Sequence, residues 1–273
     1  MIKMREDYSI WLQEIIKISR EAGHAIMEVY RGEITVERKN DNSPLTQADL
    51  SAHKLIEAGL KELSPDIPLL SEESASIPFS ERSTWQRYWL VDPLDGTREF
   101  IKRNGEFTVN IALIDQGIPI LGVVYAPAID VLYYASAGSG AFKQVGQGSI
   151  QAIHVRSLDL NNLVIAGSRS HSDIKLQRFV SNIAKKYAEP TVIPMGSSLK
   201  ICMVAEGAAD IYPRLGPTSE WDTAAAQCVL EQAGGHLTNK NGVPFTYNHK
   251  DSLLNAEFFA HSATPHQWNQ YLE

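Results

Sequence analysis

The chain has 273 residues, 44% of them hydrophobic and 21% charged, and a formal net charge of -7 at pH 7. That length can bury a sizeable core, in one large layered unit or two modest domains. The acidic balance, with no long Lys/Arg run, excludes a surface built to coat nucleic acid, and no apolar run approaches a membrane span.

An anionic substrate would therefore need a locally positive site. Met1 to Tyr8 is polar and charged, which gives no sign of a secretory signal and makes the cytoplasm the expected compartment. Ile10, Trp11, Ile15, Ile18, Ala22, Ala25, Ile26 and Val29 recur at helical spacing and Gly32 supplies a stop, so the first element is a long amphipathic helix. Ile34 to Arg38 reads as a short strand, and Lys39 to Pro44 as a polar loop. Thr46 and Asp49 ahead of Leu55, Ile56, Leu60 and Leu63 predict a capped helix. Taken alone, Asp49 is a first-turn acid favoured by the helix dipole. Ile67 to Leu70 is a brief buried strand ending on Glu72 and Glu73, which alone read as solvated loop acids.

The stretch from Trp89 to Thr97 is the most informative. Trp89, Leu90 and Val91 read as the end of a buried strand, which Pro93 predicts to stop at Asp92. Asp92 and Asp95 then sit three apart on a tight turn, Gly96 permits a left-handed backbone, and Thr97 can open a helix. The carboxylates can hold hard cations while the N–H groups of Gly96, Thr97 and the following turn offer an anion site. Read alone, the same residues make an ordinary Asp-Gly turn with a cap.

Phe107 to Ile114 predicts a strand, and Ile118 to Tyr125 with Val131 to Ala135 a hairpin around Pro127, antiparallel with the Trp89 strand. Gly138 to Gly148 reads as a turn-rich connection, and a domain boundary is placed near residue 150. Beyond it strands and helices alternate: strands at Leu163 to Ala166, Val192-Ile193, Asp210 to Tyr212, His236-Leu237 and Phe258 to Ala260, and helices over Ile174 to Tyr187, through Glu206, and over Thr223 to Gln232. The fold class is therefore α/β, with an α+β N-terminal half (1–150) and an α/β C-terminal half (151–273). Cys202 and Cys228 lack metal-ligand spacing and read as buried free thiols.

Glu72-Glu73, then Asp92-Pro93-Leu94-Asp95-Gly96-Thr97, then Trp221-Asp222 resembles the metal signature of the inositol monophosphatase superfamily of Mg-dependent, lithium-sensitive phosphatases. The resemblance implies a layered αβαβα sandwich of the sugar-phosphatase type, most metal ligands in the first half and Asp222 in the second. It further implies one Mg²⁺ on Glu72, Asp92 and the Leu94 carbonyl, a second on Asp92, Asp95 and Asp222, and room for a third, weaker ion touching Glu72. Asp49 and Thr97 match the pair that orients and deprotonates an attacking water.

In the second half, Ser168-Arg169-Ser170-His171, Gly196-Ser197-Ser198-Leu199-Lys200 and Tyr212-Pro213-Arg214 resemble the bacterial 3'(2'),5'-bisphosphate nucleotidase branch of that superfamily. By that resemblance the substrate is a small nucleotide, adenosine 3',5'-bisphosphate or its sulfated relative, rather than a nucleic-acid polymer. Glu72, Leu94, Asp95, Gly96, Thr97 and Asp222 border its reacting phosphate; Ser168, His171, Gly196 and Ser197 contact the nucleotide. Lys200 and Arg214 meet a second phosphate, and inositol monophosphatases usually carry an acid where Arg214 stands. Arg169 reads as structural or peripheral. Bacterial relatives are sometimes assigned to the cytoplasmic face of the inner membrane, which nothing in the residues independently requires. The competing readings are an inositol monophosphatase or broad sugar phosphatase, and a non-catalytic nucleotide or metal sensor.

Overall fold

Helix α1 (Ser9–Arg31) forms because Leu12, Ile15, Ile18, Ala22 and Ile26 share one stripe and are all buried, and it ends where the Gly32 N–H turns back to the Val29 carbonyl. Ile10, expected on that stripe, is 71% exposed and Leu12 takes its place. The computed structural model describes residues 8–34, 36–38, 44–169 and 174–272. Strands β1 (Val36–Arg38) and β2 (Pro44–Thr46) form a small antiparallel ladder that delivers Thr46 as the cap of α2 (Gln47–Leu63). The polar loop predicted over 39–44 lies outside the described residues except for Pro44.

A seven-stranded sheet follows: β3 (Leu69–Ser71), a short α3 (Phe79–Arg82), β4 (Arg87–Asp95), a short α4 (Thr97–Ile101), β5 (Thr108–Asp115), β6 (Ile118–Ala126), β7 (Val131–Ser136), β8 (Gly140–Val145) and β9 (Gln151–Ile153). The strands lie in chain order, β3 and β4 parallel and the rest antiparallel. The second half alternates β10 (Val164–Gly167), α5 (Ile174–Ala184), β11 (Thr191–Pro194), α6 (Leu199–Ala205), β12 (Ile211–Arg214), α7 (Glu220–Gln232), β13 (His236–Asn239) and β14 (Phe258–His261). Its five strands are ordered β11-β10-β12-β14-β13, the first three parallel.

The apolar run of β4 is continuous because both faces of its sheet are covered. Trp89 and Val91 pack with α1 and α2, while Tyr88 and Leu90 face the opposite way toward α6 and α7. Those two helices lie between the sheets, and α5 with the C-terminal turn Trp268–Tyr271 covers the far face of the second. The result is the αβαβα layering expected from the sequence. Among the described residues no helix is long and apolar enough to cross a membrane. Cys202 and Cys228 are free and buried in the middle layer.

Two expectations are corrected. Strand β4 does not stop at Asp92 but runs to Asp95, with Asp92 opposite Asn110 and Asp95 opposite Thr108. Pro93 and Leu94 thus face Val109 alone, a bulge that accommodates a proline with no N–H to give. The glycine-rich stretch after Gly138 is not merely turns, since β8 runs through it between β7 and β9. Gly138, Gly140 and Gly146 take positive φ at its ends, leaving Ala141 to Gln144 free to pair.

Helix α7 approaches the first sheet where β6 has no side chain. A Cβ at Gly122 would lie 2.3 Å from the Ala225 carbonyl oxygen and 2.8 Å from Cys228 Cβ. Gly122→Ala should therefore push α7 off the sheet and lower stability by about 1–3 kcal/mol. Urea unfolding would measure the loss, and an unchanged midpoint would refute this account of the packing.

Candidate active site

Asp92, Asp95 and Asp222 each present a carboxylate oxygen within 4.8 Å of the other two. Asp92 and Asp95 flank the β4 bulge, and Asp222 lies in the first turn of α7. Each acid is fixed by at least one contact from the backbone or a hydroxyl. Asp92 Oδ1 accepts the Leu94 N–H at 3.0 Å, and Asp222 Oδ2 accepts the Ser219 N–H at 2.9 Å. Asp95 Oδ2 accepts the Ser198 N–H at 2.6 Å, the Ser198 hydroxyl at 2.8 Å and the Ser197 hydroxyl at 2.6 Å.

Glu72 follows β3 in a single 3-10 turn and shares a hydrogen bond with Asp92. Burial, then the charges of Glu72, Asp95 and Asp222, hold the Asp92 carboxyl well above the usual range. Burial followed by Asp95 does the same to Asp222. Crowded carboxyls of this kind retain protons unless a cation replaces them. The donors are all oxygen, which suits a hard divalent ion such as Mg²⁺ and not a thiolate-seeking metal.

Asp49 stands beside this cluster as the third residue of α2. Its Oδ2 accepts the Thr46 N–H at 2.7 Å and the Thr46 hydroxyl at 2.6 Å, closing a capping box. Its Oδ1 faces Thr97 Oγ1 at 3.4 Å, and that hydroxyl is also 3.4 Å from the Leu94 carbonyl. Thr97 opens α4 directly after Gly96, whose φ of 91° supplies the left-handed corner. Glu72, Leu94 and Gly96 therefore lie along one rim with Asp49, Asp92, Asp95 and Thr97, and Asp222 closes it from the second half.

The remaining predicted contacts gather at the strand ends of the second sheet. Ser168 follows β10 and is half-buried, while His171 lies outside the described residues. Ser197 holds φ at 54°, a strained value that aims its hydroxyl at Asp95 and at Thr108. Lys200 is buried, with Nζ donating to the Met195 and Ser197 carbonyls at 3.2 and 2.6 Å and standing 5.3 Å from the Tyr212 ring centroid. Burial lowers its ammonium to about 8. Arg214 donates to the Pro217 carbonyl at 2.8 Å and its charge acts on both Asp222 and Lys200.

Sequence reasoning missed Glu106, Thr108, Asn110 and Ser198. Thr108 Oγ1 reaches Asn110 Oδ1, Ser197 Oγ and Ser198 Oγ, and Ser198 bridges to Asp95. The signal was present: 106, 108 and 110 are polar at a period of two entering an apolar strand, so they share one face. Arg169, read from the sequence as structural or peripheral, is bidentate on Glu106.

Layered sheets with a carboxylate pocket drawn from both halves, and a Thr–Asp pair beside it, make an arrangement suited to metal-assisted hydrolysis. The inositol monophosphatase family model matches residues 7–271. Proteins named 3'(2'),5'-bisphosphate nucleotidase CysQ from Salmonella typhimurium (strain LT2) and Escherichia coli (strain K12) are each 49% identical over 249 residues, covering 90% of this chain and 98% of the relative. A crystal structure of CysQ from Bacteroides thetaiotaomicron superposes with a TM-score of 0.82 at 36% identity, covering 95% of this chain and 99% of the other. The chain belongs to the inositol monophosphatase family, and it is a phosphatase of that family.

Glu220, at the start of α7, accepts the Asn248 N–H at 2.9 Å, and burial raises its carboxyl from the ordinary 4.5 to about 7. The folded protein therefore holds a proton that the unfolded chain releases, and stability from this group is lost as pH rises through about 7. Without added metal, Glu220→Gln should gain little over wild type near pH 4.5 and progressively more toward pH 8. Urea unfolding across that range measures the difference, and a constant gap would contradict it.

Proposed function

We propose that this chain is a Mg²⁺-dependent phosphatase that removes the 3'-phosphate of adenosine 3',5'-bisphosphate, giving AMP and phosphate, and also accepts the sulfated relative. The observation that carries the reading is the meeting of Asp92, Asp95 and Asp222, drawn from both halves, beside the Thr97–Asp49 pair. The names of the relatives support the substrate class. A reducing, cytoplasmic setting agrees with two buried free thiols. The division near residue 150 is kept, supported by a first sheet that ends at Ile153 and a second that begins at Val164.

In this reading Glu72, Asp92 and the Leu94 carbonyl hold one Mg²⁺, Asp92, Asp95 and Asp222 a second, and Glu72 a weaker third. Bound there, the ions neutralise phosphoryl oxygens and lower the pKa of a water. The chain's own residues handle the proton. Asp49 cannot swing away, because Oδ2 is committed to Thr46, so Oδ1 stays aimed at Thr97 Oγ1. The proton of the attacking water passes through that hydroxyl to Asp49. The N–H groups of Gly96 and Thr97 receive the phosphoryl oxygens, and the ester oxygen departs on the Asp222 side.

Ser168, His171, Gly196 and Ser197 border the nucleotide. Lys200 uses two of its three N–H bonds on loop carbonyls and keeps one, with its charge, for the second phosphate. Arg214 adds the neighbouring positive charge. The substrate assignment is tested by comparing Mg²⁺-dependent phosphate release from adenosine 3',5'-bisphosphate and inositol 1-phosphate; preference for the second overturns it. Asp95→Asn should cut turnover by more than about a hundredfold with circular dichroism unchanged, and undiminished turnover would remove Asp95 from the metal site. Lys200→Ala should weaken the bisphosphate far more than a simple monophosphate, whereas equal losses would deny it the second phosphate.

A further inference from the structure

Adjacent parallel strands β10 and β11 end level with each other, Gly167 opposite Pro194. Two residues beyond each end stand Arg169 and Gly196, in the two loops that the proposed function assigns to the nucleotide. Crevices at such strand ends are where α/β sheets take ligands. Within the second sheet the Met195 N–H meets the Gly167 carbonyl at 2.9 Å and joins the two loops at their root. Glu106 joins them again from the first sheet.

Its Oε2 accepts the Gly196 N–H at 2.8 Å and Arg169 Nε at 2.5 Å, and its Oε1 accepts Arg169 Nη2. The Glu106 side chain is 12% exposed and that of Arg169 46%, so a nearly buried carboxylate steadies a half-exposed guanidinium. The backbone is fitted as closely. A Cβ at Gly196 would lie 2.6 Å from the Glu106 carbonyl oxygen and 2.8 Å from both Glu106 Cβ and Glu99 Cγ, so only glycine brings the loop this near. Asn104 Oδ1 fixes the Glu106 N–H at 3.0 Å. Charge-assisted bidentate pairs set both distance and plane, which one hydrogen bond does not.

We propose that Glu106 is a positioning residue that ties the two nucleotide-facing loops together and thereby sets selectivity for a nucleotide over a small phosphate ester, an inference that rests on the substrate reading above. Glu106 touches no member of the acidic trio. Its removal should spare metal binding and the chemical step, and damage the fit of the part of the substrate that does not react.

The test uses the full chain with saturating Mg²⁺, adenosine 3',5'-bisphosphate and inositol 1-phosphate. In Glu106→Gln, KM for the bisphosphate should rise about tenfold while kcat stays within about twofold. Parameters for inositol 1-phosphate should not move. Arg169→Met should reproduce the effect, and the double variant should add little to either single one. Equal changes on both substrates, or an unchanged KM, would overturn the proposal and leave Glu106 as a structural tie. If the wild type itself does not favour the bisphosphate, the substrate reading falls, and the tether is then judged by amide exchange. Exchange at Gly196 and its neighbours should quicken severalfold in Glu106→Gln; unchanged protection there would dispose of the tether as well.

Discussion

Mutual repulsion among crowded carboxylates, one buried and two half-buried, is the constraint around which this molecule is arranged. Asp92, Asp95 and Asp222 are held within 4.8 Å in a pocket where water cannot fully screen them. The protein offsets part of that repulsion by giving each acid a donor: the bulge N–H of Leu94, the Ser197–Ser198 corner, and the cap N–H of Ser219. These donors fix where the charge sits without cancelling it. A hard cation relieves what remains, which is why binding chemistry and fold geometry have the same origin here.

The bland and the functional readings of Asp49 turn out to be compatible, and Asp222 repeats the arrangement. Both are the third residue of a helix, and in both one oxygen closes a capping box on the residue ahead of the helix. A carboxylate has two oxygens, so the cap secures the side chain while the other oxygen looks into the pocket. Asp49 gains a fixed orientation from an interaction that in most helices serves only stability. The helix start is thus both a folding signal and the mount for a reactive group.

Local chemistry was legible in the sequence to the extent that it depended on neighbours along the chain. The Thr46 cap, the Gly96 corner and the two-faced burial of Trp89 to Val91 follow from short-range patterns, and the structure keeps them. What escaped depends on residues far apart. The bulge at Pro93 needs a partner strand to be defined, and β8 became a strand because β7 and β9 flank it. Glu106 reads as an unremarkable acid before a strand, since its partners at 169 and 196 cannot be inferred from spacing.

Helix α7 carries one more consequence. It lies between the sheets, its Ala225 backbone seated on Gly122 of the first while its opening residue pairs reach the loop after β13. Asp222 reaches the pocket only when this helix has docked, and its companions Asp92 and Asp95 lie more than a hundred residues earlier. So long a closure costs more chain entropy than the local hairpins of the first sheet. An ion spanning those acids would recognise only chains that had docked this helix, acting as a clasp on the finished molecule and ignoring every partly folded form that precedes it.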